Sequence, residues 1–299
     1  MTTPNQRENV GAGAEFPLAA GRLNNVMLRT ASAMVLAPMV LACIYLGGWT
    51  FYVLCALAAA GILWEWTRLV MARPDAKVLL AGFAALLAAL LLTGLDRPSA
   101  AILAVAIGAV LAGSVASARS RALPYRNSPF WMAAGMVYAG IAFLGPALLR
   151  RDPDLGFTAV LFVTVIVWAT DIFAFGSGRA IGGPRMLPKV SPNKTWSGAV
   201  GGLIGGVAAG TLVAYASGIG KLATVALIAS VLSVLAQAGD LLESAVKRRF
   251  GAKDTSGLIP GHGGLMDRLD GFLVAALAAL LIGMLRQGAG APAQGLLAW

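Results

Sequence analysis

Nine apolar runs follow one another along this chain, at about 29–46, 49–68, 78–95, 99–117, 130–149, 155–175, 197–216, 222–241 and 271–286. Most approach the ~20 residues that carry a helix across the hydrocarbon core of a bilayer. The expected fold is therefore all-α: a polytopic integral membrane protein with about nine transmembrane helices. A mean hydropathy of +0.78 and a charged fraction of only 12% exclude an ordinary soluble domain, which carries about 25% charge.

Loop charge predicts the orientation. With the N-terminus inside, the outer segments hold five of the 23 basic residues, Arg97, Arg150, Arg151, Lys221 and Arg286, and the inner segments hold the other 18. That asymmetry predicts an N-in, C-out topology; removing one span would invert every later loop and spoil it. Residues 1–24 are polar and aperiodic and read as a disordered tail. Arg29 and the run after it could open a signal peptide, but no clear cleavage site follows, so a retained first span is expected. The net charge of +10 sits in short loops with no basic face interleaved with aromatics. Topogenic charge and attraction to anionic lipid account for it better than nucleic acid does. Cys43 and Cys55 lie inside apolar runs and read as inert core thiols.

One polar stretch breaks this pattern. Gln237–Gly271 holds five of the 13 acidic residues, Asp240, Glu243, Asp254, Asp267 and Asp270, together with the single histidine, His262. Charge this dense between two membrane-length runs is costly unless it performs chemistry. Span eight is expected to continue as one helix from about Leu222 to Phe250, with Gln237, Asp240, Ser244 and Lys247 on one face and Glu243 beside them. Asp267 and Asp270, three apart, share a face at the start of the next helix, where capping is the plainer reading of one carboxylate. Carboxylates on neighbouring helix ends suit a divalent metal. Basic side chains suit phosphate, and a glycine turn before a helix adds backbone donors. No cysteine is near, and one histidine without a thiolate argues against zinc. This mixture points to metal-dependent phosphoryl or nucleotidyl transfer at the inner membrane face.

Elsewhere, Asp171 sits in span six, expected about one turn from its cytoplasmic end, with pairing to Arg179 as the alternative to a functional role. The following loop, Gly176–Trp196, offers glycines with Arg179, Arg185, Lys189 and Lys194 for a polyphosphate. Span seven carries a repeated GxxxG face suited to packing against another span, of this subunit or a second one. Glu65, between Trp64 and Trp66, is expected to reach Arg68 at i+3 near the aromatic belt.

The run Ser244-x-Val246-Lys247-Arg248-x4-Lys253-Asp254-x-Ser256-x2-Ile259-Pro260-x-His262-Gly263-Gly264-Leu265-x-Asp267-Arg268-Leu269-Asp270 resembles the signature of the phosphatidate cytidylyltransferase (CDP-diacylglycerol synthase) family. Gln237-x-Gly239-Asp240, Asp171 and the SPNKTW segment look like further landmarks, and the resemblance spans roughly residues 130–286. It implies a Mg²⁺-requiring reaction between CTP and phosphatidic acid in the bacterial inner membrane, on its cytoplasmic face, with a second metal or a monovalent ion as a possible addition. It divides the chain into the tail, N-terminal spans at 25–128 and a catalytic domain at 129–299. It also implies roles. Asp240, Asp267 and Asp270 hold metal. Lys247, Arg248, Lys253 and Arg268 grip phosphates, Asp254 orients Lys253 or adds a ligand, and His262 positions a phosphate or assists proton transfer. Ser244, Gly263, Gly264, Arg179, Lys194 and Asp171 bind substrate.

The chain departs from the family pattern at Asn193 and Ser197, where a Lys and a Glu are common, and at Ile172. A homodimer through the transmembrane helices is a further expectation. The rival readings are a CTP-dependent enzyme for another lipid phosphate or alcohol, and an ion-coupled transporter, for which acids at mid-membrane in several spans would be needed.

Overall fold

The computed structural model describes residues 17–71, 74–118, 128–259 and 263–299, with side chains from Ser32 onward. Ten helices are present among them: α1 (Pro17–Leu46), α2 (Gly48–Met71), α3 (Ala76–Gly94), α4 (Pro98–Ala118), α5 (Ser128–Arg150), α6 (Gly156–Ile181), α7 (Trp196–Ala216), α8 (Leu222–Arg249), α9 (Met266–Gln287) and α10 (Pro292–Leu297). The helices α2 to α9 are the eight that are long and apolar enough to cross a membrane among the described residues, and they fall on the last eight expected spans. The first expected span lies on α1, whose described apolar part is Ser32–Leu46. The protein is thus an all-helical polytopic membrane protein. Of the expected tail, residues 1–16 lie outside the described residues, and α1 begins at Pro17.

Helices α2, α3, α4 and α5 pack in one group, and α6, α7, α8 and α9 in another; α5 also packs on α9 and joins the two. Phe143 of α5 and Phe162 of α6 are among the largest fully buried side chains, with Ile62 and Leu63 of α2, and Leu273 of α9. The closest pairing is α6 with α7. The glycine face of α7 lies against α6: a Cβ at Gly202 would stand 2.8 Å from the carbonyl oxygen of Thr170. Helix association in lipid relies on such close approach. That ridge is therefore used within the chain, and a second subunit would have to dock elsewhere.

Two expectations change here. The segment Gly176–Ile181 is helical, so Asp171 lies about three turns inside the end of α6. The reason is packing: Gly178 faces Gly198 of α7, with a Cβ at Gly178 only 3.4 Å from the Gly198 Cα. The glycine serves a helix crossing there, not an anion loop. The rest of the expected loop forms an antiparallel hairpin, β1 (Arg185–Leu187) and β2 (Ser191–Thr195), on an otherwise helical chain. The Thr195 hydroxyl then accepts from the Gly198 amide at 3.1 Å and caps α7.

Candidate active site

The site is made where α8 and α9 touch. A Cβ at Gly239 would lie 2.8 Å from the Asp270 carbonyl oxygen, and one at Gly271 would lie 2.9 Å from that of Ala236. These glycines sit beside Asp240 and Asp270 in sequence, so the close crossing delivers the two carboxylates to one place. Glu243, about one turn further along α8, joins them. Ligand oxygens of Asp240, Glu243 and Asp270 all lie within 4.8 Å of one another. Glu243 is 2% exposed, and its Oε1 is buried without a hydrogen-bond partner among the described residues. A buried acceptor left open beside two further carboxylates is suited to receive a cation. Hard oxygen donors of this kind fit a divalent ion such as Mg²⁺.

Asp267 has a different set of partners. Its Oδ1 accepts from Lys247 Nζ at 2.7 Å, and the same ammonium lies 2.6 Å from Glu243 Oε2. Its Oδ2 accepts from the Gly264 amide at 2.9 Å and from the amide and hydroxyl of Thr255, both at 3.1 Å. Asp267 thus ties Lys247 to the loop before α9, while Glu243 stands with Asp240 and Asp270. Lys194, from β2, forms an ion pair with Asp240, and the Ser244 hydroxyl reaches Asp240 Oδ1 at 3.4 Å.

Lys194, Asp240, Lys247, Asp267 and Asp270 wall a cleft of about 700 Å³, whose lining also includes Asp171, Arg179, Asn193, Asp254 and Arg268; Glu243 and Ser244 are not among its lining residues. Asp171 makes no ion pair with Arg179 among the described residues; it faces the cleft. Arg248 lies apart, donating to the Val190 carbonyl at 3.3 Å and the Ala252 carbonyl at 3.0 Å, so it ties the hairpin to the loop after α8. Lys253 is exposed and is not among the cleft residues. Gly263 has a φ of +87° and its carbonyl accepts from the Ile259 amide at 2.9 Å. Gly264 packs between Thr255, Glu65 and Asp267. His262 lies outside the described residues. Of the three positions that depart from the family pattern, Asn193 lines the cleft, Ser197 donates to the Gly182 carbonyl at the end of α6, and Ile172 is exposed.

A second, apolar groove of about 560 Å³ runs between α1, α2, α5, α6 and α9, lined by residues such as Val40, Leu54, Trp168 and Phe272. Arg268 borders both the groove and the polar cleft. No local pattern in the sequence marks this groove, because its lining is assembled from five helices spread along the chain.

The reading of Glu65 is corrected. It is fully buried and faces the loop before α9, not Arg68. Arg68 lies over the Trp64 ring at 4.7 Å instead. The signal that could have found it was an acid in an apolar span whose only sequence neighbour of opposite charge was free to reach solvent.

Comparison with known proteins gives one consistent answer. Residues 27–285 match the model of the Cytidylyltransferase family. The chain is 41% identical over 261 residues to the phosphatidate cytidylyltransferase of Brucella abortus biovar 1 (strain 9-941), covering 87% of this chain and 94% of that one. It is 42% identical over 142 residues to the phosphatidate cytidylyltransferase of Haemophilus influenzae, covering 46% and 49% of the two chains. The Bacillus subtilis (strain 168) phosphatidate cytidylyltransferase is 36% identical over 138 residues, 46% of this chain and 51% of its own. With a family match across most of its length and a site of carboxylates and cations at the matched signature, this chain belongs to the cytidylyltransferase family.

Proposed function

We propose that this protein is a phosphatidate cytidylyltransferase, joining CTP and phosphatidic acid to give CDP-diacylglycerol and pyrophosphate. The observation that carries the reading is the position of Arg268 on the wall common to a polar, carboxylate-lined cleft and an apolar groove among the spans. A nucleotide suits the first space and acyl chains suit the second, and a phosphate between them meets the guanidinium. The name shared by the relatives agrees with it.

In this reading an oxygen of the lipid phosphate attacks the α-phosphorus of CTP. A phosphorus–oxygen bond forms there, and the bond from the α-phosphorus to the bridging oxygen breaks, with pyrophosphate leaving on that electron pair. The attacking oxygen is already anionic, so no side chain has to remove its proton. Asp240, Glu243 and Asp270 would hold Mg²⁺, which when bound neutralises charge on the nucleotide's phosphate oxygens. Lys194 and Arg268 both bring positive charge to the cleft, Lys194 held by its pair with Asp240. Lys247 fixes Glu243 and Asp267, keeping the two helix ends in register.

The excess of basic residues in the inner segments supports an N-terminus inside and a site on the cytoplasmic face, where CTP is available, and the bacterial relatives agree with a bacterial inner membrane. Purified protein given labelled CTP, phosphatidic acid and Mg²⁺ should form a labelled CDP-lipid and release pyrophosphate. Absence of turnover with every phosphatidic acid tried would overturn the proposal.

A further inference from the structure

Glu65 belongs to α2, in the N-terminal group of helices, and lies outside the cluster of three carboxylates. Both of its oxygens are nevertheless saturated with donors from the signature segment. Its Oε1 accepts from the Leu265 amide at 2.8 Å and from the Ser256 hydroxyl. Its Oε2 accepts from the Met266 amide at 2.7 Å, and the Thr255 hydroxyl, whose single proton it shares with Asp267 Oδ2, stands 3.2 Å away.

The two amides are the first of α9. A helix leaves its first N–H groups without partners in its own ladder, and Leu265 at the N-cap has no side-chain acceptor to offer them. An anion from a different helix fills that need and faces the positive end of the α9 dipole. The fit leaves no slack. A Cβ at Gly264 would lie 2.8 Å from Glu65 Oε1 and 3.0 Å from Asp267 Oδ2. The Thr255 hydroxyl stands between the same two carboxylates. Displacing Glu65 therefore moves the start of α9, and with it Asp267 and the turn that carries Asp270.

We propose that Glu65 is a positioning residue for the transfer reaction: a buried cap, supplied by α2, that sets the first turn of α9 and makes the N-terminal helices part of the catalytic apparatus. Only the kinetic part of its test rests on the function proposed above.

The test compares wild type and Glu65→Gln as full-length protein in detergent. The amide has the size of the carboxylate but turns an NH₂ toward one backbone N–H, which can only donate, so that bond must be lost, while the hydroxyl beside it can turn to accept. The folded variant, with an unchanged elution profile, should lose kcat by about 10²-fold, as displacement of a site by about 1 Å does. Its half-activating Mg²⁺ concentration should rise, while the KM for phosphatidic acid stays near that of wild type. Independently of any substrate, hydrogen exchange at the Leu265 and Met266 amides should speed up by about tenfold or more.

A folded variant with wild-type kcat and Mg²⁺ requirement overturns the proposal. So does a loss of activity matched by loss of folded protein with exchange at 265–266 unchanged. If Glu65→Gln does not fold, Ser256→Ala removes one donor to Glu65, together with the exposed acceptor of the Leu258 amide, and should shift the Mg²⁺ requirement in the same direction, by about threefold or more; no shift overturns the proposal. Wild-type protein that fails to turn over would reject the proposed function, and the exchange measurement would still judge the cap.

Discussion

Lys247 and Asp267 join the last turn of α8 to the first turn of α9, with Nζ 2.7 Å from Oδ1. The same ammonium lies 2.6 Å from Glu243 Oε2, and the side chains of Lys247, Asp267 and Glu243 are 10%, 5% and 1% exposed. Removing the lysine would leave the buried Glu243 carboxylate and Asp267 Oδ1 without their cation. Breaking a buried pair from one side costs about 3–5 kcal/mol. Lys247→Met should therefore melt well below wild type in detergent, and a melting curve unchanged by the substitution would show that the ammonium is dispensable.

Glu243→Gln keeps the size of the side chain and removes its charge from the group formed with Asp240 and Asp270. The expected effect is on metal affinity: the Mg²⁺ concentration for half-maximal turnover should rise by about 10- to 100-fold, the range seen when groups around a metal are altered. Asp270→Asn should abolish turnover while leaving the protein folded. Titrating Mg²⁺ in the CDP-lipid assay checks both variants.

The glycine ridge of α7 makes a separate prediction about stability. At Gly202 a side chain would meet the backbone oxygen of Thr170 at 2.8 Å, and backbone cannot step aside as a side-chain tip can. Gly202→Leu should cost about 1–3 kcal/mol or more through overpacking. A matched change at exposed Ile204 to leucine should cost little. The difference in melting midpoint between the two variants is the measurement.

Filling the apolar groove should act on the lipid alone. Ala58 lines it, and Ala58→Trp should raise the KM for long-chain phosphatidic acid by roughly tenfold, through lost apolar burial of a few methylenes. The KM for CTP should not change. Equal effects on both substrates would place the acyl chains elsewhere.

Much of this was legible in the sequence because it is local. Hydropathy is summed over adjacent residues, so eight spans could be placed within a few positions of the observed helices. Helical spacing put Asp240, Ser244 and Lys247 on one face, and α8 runs unbroken through them. The distinction between Glu243 and Asp267 was not legible. Both lie beside Lys247, and only the crossing of α8 over α9 decides which carboxylate is bonded to the loop and which is left with an open oxygen. The role of Glu65 was hidden for the same reason: its partners are about two hundred positions away. The helical course of Gly176–Ile181 was not legible because glycines that permit a close helix crossing look, in one dimension, like those of a loop.

The place of Arg268 has a further consequence. Under the proposed function its guanidinium stands at a liquid–liquid boundary built into the fold, with an aqueous reagent on one side and an oil-soluble one on the other. A chemist joining such reagents would add a phase-transfer catalyst and carry one of them across. Here neither has to change solvent. The nucleotide stays hydrated, the acyl chains stay in lipid, and the only traffic over the boundary is the formation of one phosphorus–oxygen bond.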